Sequence, residues 1–171
     1  MSASCCVCSQ PKATTLCREC SGHACKSCTE FVDVNRFSFF APPANKEHAG
    51  SYCLTCYQAK VAPVAEQYDS LMAQAEDVSV YFIEQSKETR LIKRTEKKLR
   101  ITDCADRDET IMRLAFRAVE GGFNTLVDTD LVYEKHREGS FKIAHWSGTA
   151  MPAKLEDRSR PRESKLKSPS R

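Results

Sequence analysis

The spacing of hydrophobic positions divides the chain before any single residue does. Over residues 54 to 75, "LTCYQAKVAPVAEQYDSLMAQA", Val64, Tyr68, Leu71 and Met72 recur at helical spacing. Pro63 interrupts that stretch, and its missing N–H suits the first turn of a second helical piece. Short β-type runs come next. "VSVYF" at 78 to 82 is rich in β-formers, and "KKLRIT" at 97 to 102 alternates, with Leu99 and Ile101 on one side. The helical period returns in "RDETIMRLAFRAVEGG", where Ile111, Leu114, Ala115 and Ala118 share a face. Asp106 and Glu109 have the spacing of a capping box, and Gly121 and Gly122 supply a stop. "FNTLVDTDLVYEKH" and "SFKIAHWSGTAM" then predict two strands joined by a turn at "REG". The expected order over 78 to 151 is β-β-α-β-β, a small α+β domain with its helix on one sheet face. Residues 84 to 96 are polar and mixed and predict no element.

Neither period holds before residue 54, where cysteine takes over. Nine of the ten cysteines lie between residues 5 and 56; only Cys104 lies outside. The chain of 171 residues has room for one ordinary domain or two small ones. The expected division is a cysteine-rich finger at 1–60, a connecting helix at 61–77, the α+β domain at 78–151 and a tail at 152–171. The tail, "PAKLEDRSRPRESKLKSPSR", is Pro-, Ser- and charge-rich with no aromatic residue, and is expected to be disordered. No apolar run approaches the roughly 20 residues of a membrane span. "MSASCC" has neither a charged leader nor an apolar core segment, so the expectation is a cytoplasmic chain. Stable disulfides are rare there, and cysteine use points to metal or redox chemistry.

Charge follows the same division. Residues 1 to 60 carry six Lys/Arg against four Asp/Glu, residues 61 to 151 thirteen against sixteen, and the tail seven against three. The basic excess therefore sits mainly in the tail.

The cysteines form four C-x2-C pairs: Cys5 and Cys8, Cys17 and Cys20, Cys25 and Cys28, Cys53 and Cys56. A two-residue gap lets both sulfurs of a knuckle face one ion, and eight thiolates suffice for two tetrahedral zinc sites. Only four residues separate the second pair from the third, a tight span for closing one site. Interleaving solves this: Cys5, Cys8, Cys25 and Cys28 on one Zn²⁺, and Cys17, Cys20, Cys53 and Cys56 on the other. A thioredoxin-type centre would need one pair in a βαβ setting, and an iron–sulfur cluster would not require the distant fourth pair.

"CRECSGHACKSC" resembles the centre of FYVE-type zinc fingers, which share the C-x2-C-x4-C-x2-C spacing. "YCLTCYQAKV" resembles their last knuckle, where Cys-x2-Cys-Tyr runs into a helix. The resemblance spans residues 5 to 70 and implies a cross-brace fold with two interleaved zinc sites. FYVE fingers that bind phosphatidylinositol 3-phosphate carry WxxD, R(R/K)HHCR and RVC segments. Here no WxxD stands in the four residues before Cys5, the second motif reads "ATTLCR", and the third reads "SYC". Only Cys17 and Arg18 of the basic motif agree, so the family's phosphoinositide pocket is not expected. With eight thiolates and two Zn²⁺ the finger's charge falls to about −2, which also disfavours nucleic acid and anionic lipid. A RING-type ubiquitin-ligase finger is the other cross-brace form. It would recruit His23 as Cys20-x2-His23-x-Cys25, with the gaps in the wrong order and Cys17 left over. His23 is expected beside a knuckle and Cys6 as a spare thiol that could exchange with Cys5. Phe37, Phe39 and Phe40 are expected to supply the small module's core or a contact between modules.

In the second module, Asp103, Cys104, Asp106, Asp108 and Glu109 cluster in sequence. A helix N-terminus favours such carboxylates without any catalysis. Asp128 and Asp130 are expected on a solvated strand face, and Trp146 in the core with His145 paired beside it. "AFRAVEGGFNTLVDTD…GSFKIAHWSGTAMP" resembles small bacterial α+β domains described as heavy-metal-binding; the likeness implies a fold and carries no ligand motif. Lys87, Arg90, Lys93, Arg94, Lys97, Lys98 and Arg100 lack interleaved aromatics and are expected to be a solvated surface. The expected function is an interaction or adaptor role with structural zinc, a protein partner and no catalytic residue. RING-type ubiquitin transfer and membrane targeting through phosphoinositide are the alternatives, and the oligomeric state is open.

Overall fold

The computed structural model describes residues 3–138 and 141–156. The chain forms two compact units, residues 1–70 and 71–171, and the division falls inside a helix. The first unit is built from small pieces: β1 (Thr15–Leu16) pairs antiparallel with β2 (His23–Ala24), and β3 (Thr29–Val32) with β4 (Gly50–Cys53). A short helix α1 (Ala44–Glu47) lies between β3 and β4. After β4 the chain winds through α2 (Leu54–Cys56), a π-turn at Tyr57–Val61 and α3 (Ala62–Glu76). Pro63 explains the π-turn. A proline ring clashes with the carbonyl four residues back, and widening the preceding turn relieves the clash without breaking the helix.

The aromatic loop supplies core, as expected. Phe37 is 1% exposed, with ring centroids 5.4 Å from Tyr68 on α3 and 5.9 Å from His48. Phe40 lies 5.2 Å from the same Tyr68 ring. Arg36 closes the cluster: it donates to both oxygens of Asp69 at 2.8 Å and lies 5.4 Å and 5.5 Å from the Phe37 and Tyr68 rings. A metal-knuckle module has little apolar surface of its own, and these rings anchor the 33–48 loop to the helix.

The second unit has the expected β-β-α-β-β order: β5 (Ser79–Phe82), β6 (Leu99–Cys104), α4 (Arg107–Glu120), β7 (Thr125–Glu138) and β8 (Phe141–Ala153). The sheet order is β5-β7-β8-β6. The long β7–β8 hairpin forms its centre, with β5 parallel to β7 and β6 antiparallel to β8. Asp106 caps α4 by accepting from Glu109 N at 2.7 Å. The reciprocal half of the box is displaced by one residue, because the Glu109 carboxylate accepts from Ala105 N at 2.7 Å and also holds Arg113. Leu114, Ala115, Phe116 and Ala118 of α4, Leu126 and Val127 of β7 and Ala150 of β8 are buried and make the core.

Gly148 on β8 lets the helix and sheet approach. A Cβ there would lie 2.8 Å from both Leu131 Cδ2 and Thr110 Cγ2 and 3.1 Å from Leu114 Cδ1. Gly148→Val is therefore expected to overpack this layer and cost about 1–3 kcal/mol or more, read as a lower urea midpoint for the second unit.

Four expectations need correction here. The ordered chain does not stop at residue 151: Pro152 and Ala153 are buried at the end of β8. Asn124 then clamps Leu155, donating to its carbonyl at 2.8 Å and accepting from its N–H at 2.9 Å. Of the expected disordered tail, residues 157–171 lie outside the described residues. The turn expected at "REG" is shorter, since β7 runs to Glu138 and only residues 139 and 140, outside the described residues, separate the strands. Asp128 is not on a simple solvated face. A register shift between Val127 and Asp130 breaks the alternation, and Asp128 sits there at φ 50°. Trp146 is half-buried against Tyr133, ring centroids 5.1 Å apart, at the edge of a cleft and not in the core.

Candidate metal centres

Two copies of one local device build the cysteine sites. "CVCS" at 6–9 and "RECS" at 18–21 each close a C-x2-C pair with a serine at positive φ, Ser9 at 61° and Ser21 at 55°. In both, the serine N–H bonds back to the first cysteine's carbonyl, at 2.9 Å to Cys5 and 3.0 Å to Cys17. The first cysteine's own N–H bonds five residues ahead, Cys5 to Gln10 at 2.8 Å and Cys17 to Gly22 at 2.9 Å. These bonds curl each knuckle so that both sulfurs face the same side. The partner pairs are also alike: Cys25 caps the helical turn Lys26–Cys28, and Cys53 caps α2. The third cysteine thus ends an extended segment and the fourth rides on the turn that follows.

This repetition brings together Cys5, Cys8, Cys25 and Cys28 in one group and Cys17, Cys20, Cys53 and Cys56 in another. Within each group all four sulfurs lie within 4.8 Å of one another, and both groups show the same order of burial. The grouping coincides with the interleaved pairing expected from the spacing. Cys8 and Cys25 sulfurs are 3.6 Å apart, and Cys20 and Cys53 sulfurs 3.9 Å. Four sulfurs at about 2.3 Å from a tetrahedral ion stand about 3.8 Å from each other. A disulfide would need about 2.05 Å. The spacing fits one ion per quartet, and each quartet is close enough to hold it.

Electrostatics makes the same demand. Backbone N–H groups of Cys8, Cys25 and Val7 aimed at the Cys5 sulfur hold its thiol down at about 6. Cys17 is pushed up by burial, but N–H groups of Cys20, Cys53 and Glu19 outweigh this and bring it to about 6. Its partners move the other way: the sulfurs of Cys25 and Cys8 push Cys28 up to about 12, and Cys53 pushes Cys56 up. Each quartet therefore has one sulfur whose ionised form the backbone N–H groups favour and another whose ionised form is disfavoured, chiefly by hydrogen bonding with its neighbouring sulfurs. A cation at the centre would favour ionisation of all four.

The remaining candidates fall outside the quartets. His23 is exposed on β2 and belongs to neither group. Cys6 follows Cys5 in sequence, yet its sulfur turns to the other site. A Cβ on Gly22 would lie 3.2 Å from the Cys6 sulfur and 3.3 Å from that of Cys20. Cys6, expected as a spare thiol, belongs to neither quartet, and its sulfur lies near that of Cys20. Cys6→Ser is expected to leave two metal ions per chain, whereas Gly22→Ala crowds the Cys20 sulfur and weakens the second site selectively; metal competition with a chromogenic chelator measures both. Arg18 donates to the Ala49 carbonyl and lies along Gly50, whose φ of 140° disfavours a side chain and where a Cβ would meet Arg18 Cδ at 3.1 Å. Cys104 is buried, and that burial pushes its thiol up, as suits a small core group.

Among the described residues, no helix is long and apolar enough to cross a membrane. No family model, no curated protein and no solved structure matches this chain.

Proposed function

We propose that the first unit is a double zinc-binding module of cross-brace type, and that the chain is a cytoplasmic interaction or adaptor protein. The single observation that carries the zinc reading is the pair of four-sulfur groups at tetrahedral spacing. All-thiolate donor sets suit Zn²⁺, and four protein ligands leave no position for a reacting water or substrate, so the metal is structural. The FYVE-like reading draws on the interleaved order and on the helix that follows Cys56. A phosphoinositide role has less support, because Arg18, the one matching basic side chain, is engaged with the Ala49 carbonyl. A RING-type ubiquitin-ligase role has less support as well, because His23 lies outside both quartets.

The adaptor reading rests on an apolar surface of the finger that the sequence patterning does not single out. Phe31 is 72% exposed and Leu16 53%. Both flank Ser51, which is the cross-strand partner of Phe31 and donates its hydroxyl to the Leu16 carbonyl. A large exposed ring and an exposed leucine on so small a module suit a protein partner. The test combines metal analysis with affinity capture by the zinc-loaded full chain. Two zinc ions per chain, and a protein captured by the wild type but not by Phe31→Ser, are expected. Autoubiquitination activity, or flotation with phosphatidylinositol 3-phosphate vesicles abolished by Arg18→Ala, would overturn the adaptor reading.

A further inference from the structure

Residues 83–98 join β5 to β6, and their middle is a held turn with an aliphatic corner. The Ile92 N–H bonds the Thr89 carbonyl at 2.9 Å, which puts Arg90 and Leu91 at the two corner positions. Both ends of the turn are tied to the body of the second unit. Thr89 is fully buried. Arg94 donates to the Thr89 carbonyl and hydroxyl and to the Ile92 carbonyl, and it also grips Asp128 on β7. The corner itself is bare: Leu91 is 87% exposed, the most of any large hydrophobic side chain among the described residues. Turn corners favour Gly, Pro, Asn, Asp and Ser, and a leucine so exposed gains almost nothing there from folding. A single exposed leucine is ordinary on a protein surface. This one is fixed outward by its own backbone and stands among cations.

Residues 87–100 carry seven Lys/Arg against two Asp/Glu, whereas the rest of 71–151 carries six against twelve. The positive charge of the unit is thus gathered on this segment, and the remainder is acidic. Lys87, Arg90 and Lys93, which flank Leu91 in sequence, are exposed and enter no ion pair among the described residues. An anionic surface draws in this segment and repels the rest, so it orients the unit as well as attracting it. The aliphatic corner decides which anionic surface fits. Residues 84–100 contain no aromatic side chain to stack on bases, and a phosphodiester backbone offers Leu91 no apolar contact. A bilayer offers both partners: anionic headgroups for the cations and, just beneath them, acyl chains for the leucine.

We propose that this turn docks the chain on an anionic lipid bilayer, with Leu91 entering the acyl boundary and Lys87, Arg90 and Lys93 meeting headgroups. The inference goes beyond the adaptor reading and is independent of the zinc sites, since all four residues belong to the second unit. One leucine and a few cations make a reversible, salt-sensitive contact. The zinc-loaded full chain is floated with vesicles of phosphatidylcholine alone, and of phosphatidylcholine and phosphatidylserine in equal parts. Binding to the second kind only, fading as salt is raised, is expected. The basic tail also attracts anionic vesicles, so the turn is read from its variants. Leu91→Ser is expected to weaken binding about tenfold or more, and Arg90→Glu about fivefold or more. Leu91→Trp is expected to bind at least as well as the wild type, because an indole suits the membrane interface. Both corner side chains are exposed, so urea midpoints should stay at the wild-type value, which separates lost binding from lost fold. Arg18→Ala should float as the wild type does, which separates this contact from a phosphoinositide pocket in the finger. No flotation, equal flotation with the neutral vesicles, or binding unchanged in Leu91→Ser and Arg90→Glu overturns the proposal. Tighter binding to a DNA oligonucleotide than to the anionic vesicles, kept in Leu91→Ser, overturns it as well.

Discussion

Cys53→Ser is expected to release one of two bound metal ions and to unfold locally the part of the first unit built on the second quartet, while the second unit stays folded. Cys53 is 3% exposed and holds three structural roles at once. It ends β4 opposite Thr29 of β3, it caps α2, and its sulfur lies 3.9 Å from that of Cys20. Removing one thiolate leaves three ligands and a buried hydroxyl where a charged sulfur stood. Structural Zn²⁺ contributes about 10–16 kcal/mol of apparent folding free energy in small modules. That exceeds what a unit of this size, with so few buried apolar side chains, holds by packing alone. Metal analysis should read close to one ion per chain, and circular dichroism with amide exchange should place the loss in residues 1–70. Cys104→Ser is the matched control: it also changes a buried thiol, but it should leave both metals and cost only core packing. A Cys53→Ser protein that kept two metals and a protected first unit would show that the quartets are not the sites.

Much of this centre was legible because knuckle geometry is local. Two-residue gaps decide which sulfurs move as a pair, and the short 21–24 segment is a tight span for the second and third pairs to close on one ion. The repeated serine after Cys8 and Cys20 was also visible, although its left-handed conformation was not. The direction of Cys6 depends on β1–β2 pairing and on Gly22, which are long-range facts that no spacing carries. In the second unit, α4 and the four strands follow from periodicity and capping. Strand order did not, because β5 and β6 are neighbours in sequence and opposite edges in the sheet. Alternation also misled at Asp128, where the bulge puts Leu126 and Val127 both inside. Patterning assumes an uninterrupted pleat, and a single inserted residue reverses its meaning.

The basic stretch shows the same limit, and it carries the second large expectation. Residues 84 to 96 have no period because one side chain organises much of them. Arg94 uses all five of its donors: it grips both oxygens of Asp128, bonds the Thr89 carbonyl at 3.1 Å and hydroxyl at 3.0 Å, and bonds the Ile92 carbonyl at 3.0 Å. Thr89 is consequently fully buried in a segment of polar residues. Arg94→Ala strands the Asp128 carboxylate and several loop acceptors together. With Arg94 and Asp128 side chains 31% and 24% exposed, water recovers part of the loss, and the expected cost is about 2–3 kcal/mol. Arg94→Lys should recover little, since an ammonium cannot reproduce the planar fork. The ion pair adds a pH signature. Hydrogen bonding from Arg94 holds the Asp128 carboxyl below its ordinary value. Its stabilisation is therefore complete above the usual carboxylate range and is lost as pH falls through the depressed pKa. Urea midpoints of the second unit measured from neutral pH downward should show this acid-linked loss in the wild type. Arg94→Ala, already weaker at neutral pH, should lose correspondingly less on acidification, so the two curves converge. Parallel curves would mean that the pair forms without contributing to stability.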